Sequence, residues 1–383
     1  MPEISVISNV QQQLLDEASV FAKEHIFPFA SEFDKKMALP KSLIENMASK
    51  GFLGANIPES YGGLGLDQVQ FGEFTEIIGK ACPSTRSLIT VHSSLVSSSI
   101  LRWGSEAQKE YWLPKLASGE LLAAFALTEP EAGSNAAGVQ TKYDDEGDHF
   151  VLNGVKKWIT CAGIADVFLV FATNGEKVTA FLVERSSPGI EIVPIKDLLA
   201  GRSSHMAGIS FEDVKVPREN ILGVEGGGFA YVVNTALDHG RYSIAWAGVA
   251  IAQGALDAMV NYARRREQFG QKIHNFQLIQ GIIADATTKI HAARALCLKA
   301  GEMRDADHED ATMETNMAKY FASKIAMEIT TDAVQVHGAN GFTSEYPVER
   351  LFREAKVLEI IEGTSQLQQG MIAQFALKKY YSK

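Results

Sequence analysis

Phe150-Val151-Leu152-Asn153-Gly154-Val155, with Val167-Phe168-Leu169-Val170-Phe171 and Val178-Thr179-Ala180-Phe181-Leu182-Val183 after it, marks where the hydrophobic period of the chain changes. Short runs rich in β-branched and aromatic residues read as strands, and Asn153-Gly154 reads as the turn of a hairpin. Ile190 to Ile195 and Ile209 to Val216 continue the pattern, so the stretch from about Phe125 to Pro217 is expected to be all β. Both flanks are helical. Before the block, from Gln11 to about Ala123, apolar positions such as Leu14, Ala18, Phe21 and Ala22 fall three or four apart, with Pro40, Gly51 and Pro58 as punctuation. After it, Ala245, Val249, Ala252, Leu256 and Val260 form one stripe, and Met313, Met317, Phe321 and Ile325 another.

Helices, then strands, then helices is the wrong order for a doubly wound dinucleotide fold, in which strands and helices alternate. Gly226-Gly227-Gly228 is accordingly read as a flexible joint before a long helix, not as a phosphate loop. The expected class is α+β. The expected domains are an N-terminal helical domain over residues 1–123, a central β domain over 124–230 and a C-terminal helical bundle over 231–383.

The 383 residues exceed one ordinary core, and a large buried site is possible. Formal charge is −10, from 36 Lys and Arg against 46 Asp and Glu, with no basic block set apart, so most of the surface would repel a phosphate backbone. Nucleic acid is not an expected partner. Cys82, Cys161 and Cys297 lack CxxC spacing and no HExxH pair occurs, which argues for a reducing compartment and against a metal site. Near the N-terminus stand Glu3, Asp16 and Glu24, and no Arg precedes Arg86, unlike a signal or transit peptide. With no apolar run of the ~18–20 residues that cross a bilayer, the expected location is cytoplasmic, a mature organellar protein without its presequence being the alternative, and no membrane partner is expected.

Three segments mix residue types beyond what packing requires. Leu127-Thr128-Glu129-Pro130-Glu131-Ala132-Gly133-Ser134-Asn135 offers N–H and O–H donors at the entry to the β block, although a plain polar turn has the same composition. Lys157-Trp158-Ile159-Thr160 sets a large aromatic beside a hydroxyl at a strand end, where a core-filling Trp is the other reading. In Glu359-Ile360-Ile361-Glu362-Gly363-Thr364-Ser365, Ser365 and Gln368 have capping-box spacing for the last helix. Burial of Glu362 there would raise its pKa while the helix end lowers it, as suits a carboxylate that shuttles a proton. An exposed acid favouring the helix dipole is the alternative.

Together these segments resemble the acyl-CoA dehydrogenase family, its short- and medium-chain members most of all. The resemblance runs through Pro58-Glu59-Ser60-Tyr61-Gly62-Gly63, Gly104-Ser105-Glu106-Ala107-Gln108-Lys109, Leu113 to Glu120, the Thr128 to Asn135 loop, Trp158-Ile159-Thr160 and Leu237-Asp238-His239-Gly240-Arg241. It continues through Arg266-Glu267-Gln268-Phe269-Gly270, Gln335-Val336-His337-Gly338, Tyr346-Pro347-Val348-Glu349-Arg350 and Glu362-Gly363-Thr364. It implies a helical N-terminal domain, a β-barrel-like central domain, a C-terminal four-helix bundle and FAD. By resemblance, Trp158 packs on the isoalloxazine beside Ile159, Thr160 bonds near flavin N5, and Thr128 and Ser134 donate to the ring edge and pyrophosphate. Thr364 and Gln366 are counted with them. From a neighbouring subunit Arg266, Phe269, Gln277, Gln335, Val336 and Gly338 would hold the pyrophosphate and adenosine half, which implies an oligomer, a tetramer by family expectation. Asp238, Arg241 and Gly363 are assigned to the acyl site.

The implied reaction removes hydrogen from Cα and Cβ of an acyl thioester: Glu362 takes the α proton, its backbone N–H polarises the carbonyl, and hydride passes to flavin N5. Relatives that carry the base just before the arginine would have it at position 240, which here is Gly240. The expected acceptor of electrons is an electron-transferring flavoprotein. Ile361, Asn135, Ala339, Glu354 and Gln369 depart from the usual Tyr, Asp, Gly, Asp and Arg. These departures, with a likeness of Gly201 to Ala207 to antibiotic-pathway relatives, keep open the same chemistry on an acyl or aminoacyl carrier protein. An oxidase that passes electrons to oxygen is a third reading.

Overall fold

The computed structural model describes residues 9–381; Glu3, which bears on the leader question, lies outside them. The N-terminal part is built of α1 (Asn9–Phe21), α2 (Ala30–Lys36), α3 (Lys41–Ser49), α4 (Gln68–Ala81), α5 (Pro83–Ile89), α6 (Ser98–Trp103) and α7 (Glu106–Ser118). Reciprocal capping boxes, Asp67 with Gln70 and Ser105 with Gln108, start α4 and α7. Between α5 and α6 the helix widens into a π-helical stretch, Thr90–Ser97, a departure that is common at functional sites.

The middle of the chain is a curled seven-stranded sheet of β1 (Ala123–Ala126), β2 (Lys142–Asp145), β3 (His149–Ile159), β4 (Val167–Thr173), β5 (Val178–Glu184), β6 (Ile190–Pro194) and β7 (Ala207–Pro217). Its order is β1-β4-β2-β3-β7-β6, with β5 on the other edge of β4. The expected hairpin at Asn153-Gly154 is not there. Both residues lie inside β3, where the register against β7 shifts between Leu152 and Gly154. Gly154 has φ 153°, and a Cβ on it would come within 2.6 Å of Thr141. The Asn side chain exchanges hydrogen bonds with Asp213 at 2.8 and 3.0 Å, so the signal was that of a bulge.

The C-terminal part comprises α8 (Asn234–Arg265), a small hairpin of β8 (Glu267–Gln268) and β9 (Gln271–Lys272), then α9 (Gln277–Asp305), α10 (Ala311–His337), α11 (Val348–Leu358) and α12 (Ser365–Lys379). Ala245, Val249, Ala252 and Leu256 of α8 are buried as expected. On α10 the expected stripe is displaced: the buried face is Ala318, Ala322, Ile325, Ala326 and Ile329, while Met313, Met317 and Phe321 are only half-buried. Small residues win that face because α8 runs against it so closely that a Cβ on Gly248 would meet the Ala322 backbone at 2.7 Å. The absence of a long uninterrupted apolar run stands beside one helix that is apolar on average. The helical stretch Gly228–Arg265 contains a window apolar enough to span a bilayer, and 72% of that window is buried inside the fold, as befits a core helix.

Gly226 to Gly228 is no loose joint. The Gly226 N–H donates to Thr179 Oγ1 at 2.8 Å, Gly227 bridges to Val178, and a Cβ on Gly228 would strike the Thr179–Ala180 backbone. α11 staples the three parts of the chain together. Arg353 binds Asp34 of α2 and the Leu199 carbonyl, and the Glu354 carboxylate accepts from Ser84 of α5 and from the Gly201 N–H.

Candidate active site

Past the end of α11 the chain must reverse into α12, and two consecutive left-handed residues, Glu362 at φ 54° and Gly363 at φ 90°, make the bend. Positive φ is unusual for a non-glycine residue and is held here by bonds to the turn. The Glu362 carbonyl accepts from Arg241 Nε at 3.3 Å and Gln368 Nε2 at 3.2 Å, and the Gly363 carbonyl accepts from Lys319 Nζ at 2.7 Å. The expected cap moves by one residue: Thr364, not Ser365, caps α12 by accepting from the Leu367 N–H, because the Gln368 amide is spent on the bend. The Glu362 N–H donates to no group among the described residues.

The Glu362 side chain is half-buried as a whole, yet its Oε2 has no accessible surface and no hydrogen-bond partner. That oxygen occupies the space left by Gly240 on α8: a Cβ there would lie 2.5 Å from Oε2 and 2.7 Å from Leu95 Cδ2 of the π-helical stretch. Loss of hydration pushes the Glu362 pKa up to about 7, against the pull of Arg241 and Lys319. Burial likewise brings Lys319 down to about 8. Sequence reading missed Lys319, since a lysine inside a helical stripe carries no signal of its own.

Asp238 and Arg241 do not pair with each other. Asp238 Oδ2 meets Arg304 of α9 at 2.5 Å, a structural tie, while its Oδ1 is buried without a partner. Arg241 forms no ion pair among the described residues and faces the Glu362 backbone.

On the sheet, Trp158 sits where pairing with β7 is broken between Lys156 and Ile159. With φ 62° its ring is turned out and remains 47% exposed, while Ile159 is buried and Thr160 follows at the strand end. The core-filling reading of Trp158 is thereby ruled out. The Lys157 N–H donates to the Thr128 carbonyl at 2.9 Å, joining the Thr128 loop to this strand. Beneath them is a buried pair that sequence reading overlooked: Lys156 Nζ lies 2.7 Å from Glu129 Oε1 and also donates to the Leu127 and Phe171 carbonyls. Ser134 at the loop tip is exposed.

A second group gathers elsewhere. Arg266, Phe269, Gln277, Gln335, Val336 and Gly338 line one open cleft of about 1110 Å³, with Ala339 on its wall. Gly338 ends α10 at φ 60°, ψ −139°, a glycine conformation, with open space where a Cβ would point. No β-domain residue lines this cleft. Thr364 is engaged as a cap and Gln366 is exposed on α12, away from it.

Residues 8–120 match the acyl-CoA dehydrogenase N-terminal domain, residues 124–214 the middle domain and residues 226–377 the C-terminal domain. The chain belongs to the acyl-CoA dehydrogenase family. It is 38% identical over 381 residues to the human mitochondrial short-chain specific acyl-CoA dehydrogenase, covering 98% of this chain and 92% of that protein. Butyryl-CoA dehydrogenase from Megasphaera elsdenii superposes with a TM-score of 0.93 at 37% identity, over 97% of this chain and 98% of that one. The prolyl acyl carrier protein oxidase AnaB has the same fold, with a TM-score of 0.90 at 29% identity over 96% and 99% of the two chains. This acyl-CoA dehydrogenase-family chain is an oxidoreductase with FAD as its cofactor. Its residues fit that group: the cleft offers the Arg266 guanidinium, the Gln277 and Gln335 amides and a glycine backbone open to close approach, as a pyrophosphate needs, and Trp158 stands 47% exposed at the strand end.

Proposed function

We propose that this acyl-CoA dehydrogenase oxidises the Cα–Cβ bond of a short acyl-CoA, with Glu362 as the base. The observation that carries the proposal is the unpartnered, water-excluded Oε2 of Glu362 beside Gly240, next to a free Glu362 N–H. A thioester carbonyl that accepts from that N–H gains acidity at Cα, and Oε2 is free to take the proton. A pKa of about 7 leaves the carboxylate ionised in part at neutral pH and basic enough to act. Bound FAD supplies the hydride acceptor that the side chains lack. Trp158, Ile159, Thr160, Thr128 and Ser134 would hold the flavin end, and Arg266, Phe269, Gln277, Gln335, Val336 and Gly338 of a second subunit the adenosine end. The separation of these groups within one chain supports a homo-oligomer, which we assign as a tetramer. Three buried free cysteines support a cytoplasmic site of action, with an electron-transferring flavoprotein as acceptor.

The test is anaerobic flavin bleaching. Butyryl-CoA should bleach the wild type, and Glu362→Gln, which keeps the N–H, should bind substrate yet bleach about 10²–10⁴-fold more slowly. Retention of a tenth of the wild-type rate, a change of only about 1.4 kcal/mol, would remove Glu362 from the role. The fold shared with a carrier protein oxidase favours one second reading, a carrier-protein thioester as substrate. Bleaching by loaded carrier protein but by no acyl-CoA would establish it, and rapid peroxide formation under air would mark an oxidase.

A further inference from the structure

A second cavity, of about 810 Å³, lies between the N-terminal helices and the ends of α8 and α11. Tyr262, His337 and Asn340 form a wall between it and the cofactor cleft: the Tyr262 and His337 rings stack at 4.2 Å, Asn340 donates to the Tyr262 hydroxyl at 2.9 Å, and all three residues line both spaces. On a chain of net charge −10, its lining carries Lys23, Lys80, Arg265, Arg266 and Arg350 against one acid, Asp257, which is engaged by Lys80 at 3.3 Å.

Arg350 is the singular member. It is only 6% exposed, its Nε is buried without a partner, and among the described residues its guanidinium makes no hydrogen bond and no ion pair. The nearby acids spend their hydrogen bonds on other groups: Glu349 on Arg353, and Glu354, whose carboxyl feels the Arg350 charge, on Ser84 and the Gly201 N–H. A guanidinium is always charged, and a buried N–H of it left without an acceptor is unfavourable, which an anion arriving from outside the chain would relieve. The rest of the wall includes Phe27, Ile77 and Leu351, which would cover an apolar body.

We propose that this cavity binds a small organic anion, a carboxylate or phosphate on an apolar body, with Arg350 as its charge partner. The site lies across the Tyr262–His337 wall from the flavin cleft, and Arg266 borders both spaces. Its occupancy is read by stability, because a ligand that binds only the folded state raises the melting temperature in proportion to ln(1 + [L]/Kd).

The FAD-loaded protein is melted in rising concentrations of benzoate, phenylphosphate and inorganic phosphate, with flavin absorbance followed to register any displacement of cofactor. Wild type should gain melting temperature with benzoate or phenylphosphate without losing flavin, and whichever arm responds at lower concentration identifies the head group. Arg350→Met should bind about tenfold or more weakly, as loss of a charge-assisted bond requires. Lys23→Glu, on an exposed residue at the rim, should weaken binding with Arg350 left in place. A flat wild-type response to all three anions, an Arg350→Met protein that responds like wild type, or a rise that comes with flavin loss would each overturn the proposal.

Discussion

The carboxylate of Glu362 is held near neutrality by two opposed influences, loss of water around Oε2 and the positive charges of Arg241 and Lys319. Since only the ionised form can take a proton, the flavin reduction rate at low substrate should climb as pH rises through about 7 and then level off. Lys319→Met removes one of the two cations, so the Glu362 pKa should rise and the inflection move to higher pH. Stopped-flow reduction across pH reads this directly. An inflection that stays put or moves down would show that Lys319 only holds the Gly363 carbonyl. Glu362 as a candidate was legible in the sequence from the Glu-Gly-Thr match and its place before a helix. Arg241 was named for the acyl site, but its contact with the Glu362 backbone and the presence of Lys319 were not legible, because both reach it across the bundle and no local pattern records such a meeting.

At the scale of the element, α8 carries a glycine where a helix would gain by having alanine. Gly240→Ala should keep or slightly raise stability, by about 0.5–1 kcal/mol on helix propensity alone. The new Cβ would nonetheless fall 2.5 Å from Oε2 and displace the proposed base. A misplacement of about 1 Å costs on the order of 10²-fold in rate, so the variant should hold FAD, melt as well as wild type and reduce its flavin about a hundredfold more slowly. An unchanged rate would mean that the carboxylate has room elsewhere and that Gly240 does not shape the site. Strands β4 to β7 were legible from composition. The Asn153-Gly154 turn was not, since the same dipeptide serves a bulge when the partner strand supplies an Asp213 to hold the Asn side chain. The α10 stripe failed for a different reason: close packing on α8 selects alanines and leaves the larger Met317 and Phe321 at the margin.

For the whole molecule, the cleft proposed to take the adenosine end of the cofactor is bordered by large apolar side chains in the open, Phe269 at 94% and Leu278 at 84% exposure. Their cover by a second copy is the expected state, and Leu278→Glu should shift light-scattering mass towards the single chain and release FAD together. A variant that retains both assembly and flavin would refute a shared site. α11 has a further consequence, in the thermodynamics of melting. Its Arg353 and Glu354 grip α2, α5 and the loop before β7 at once, so no part of the chain can lose its structure without breaking bonds that the other two share. Three stretches that the sequence separates by period should therefore unfold in a single calorimetric transition. In Arg353→Ala that one endotherm should broaden or split, the chain behaving as loosely joined parts instead of one cooperative unit.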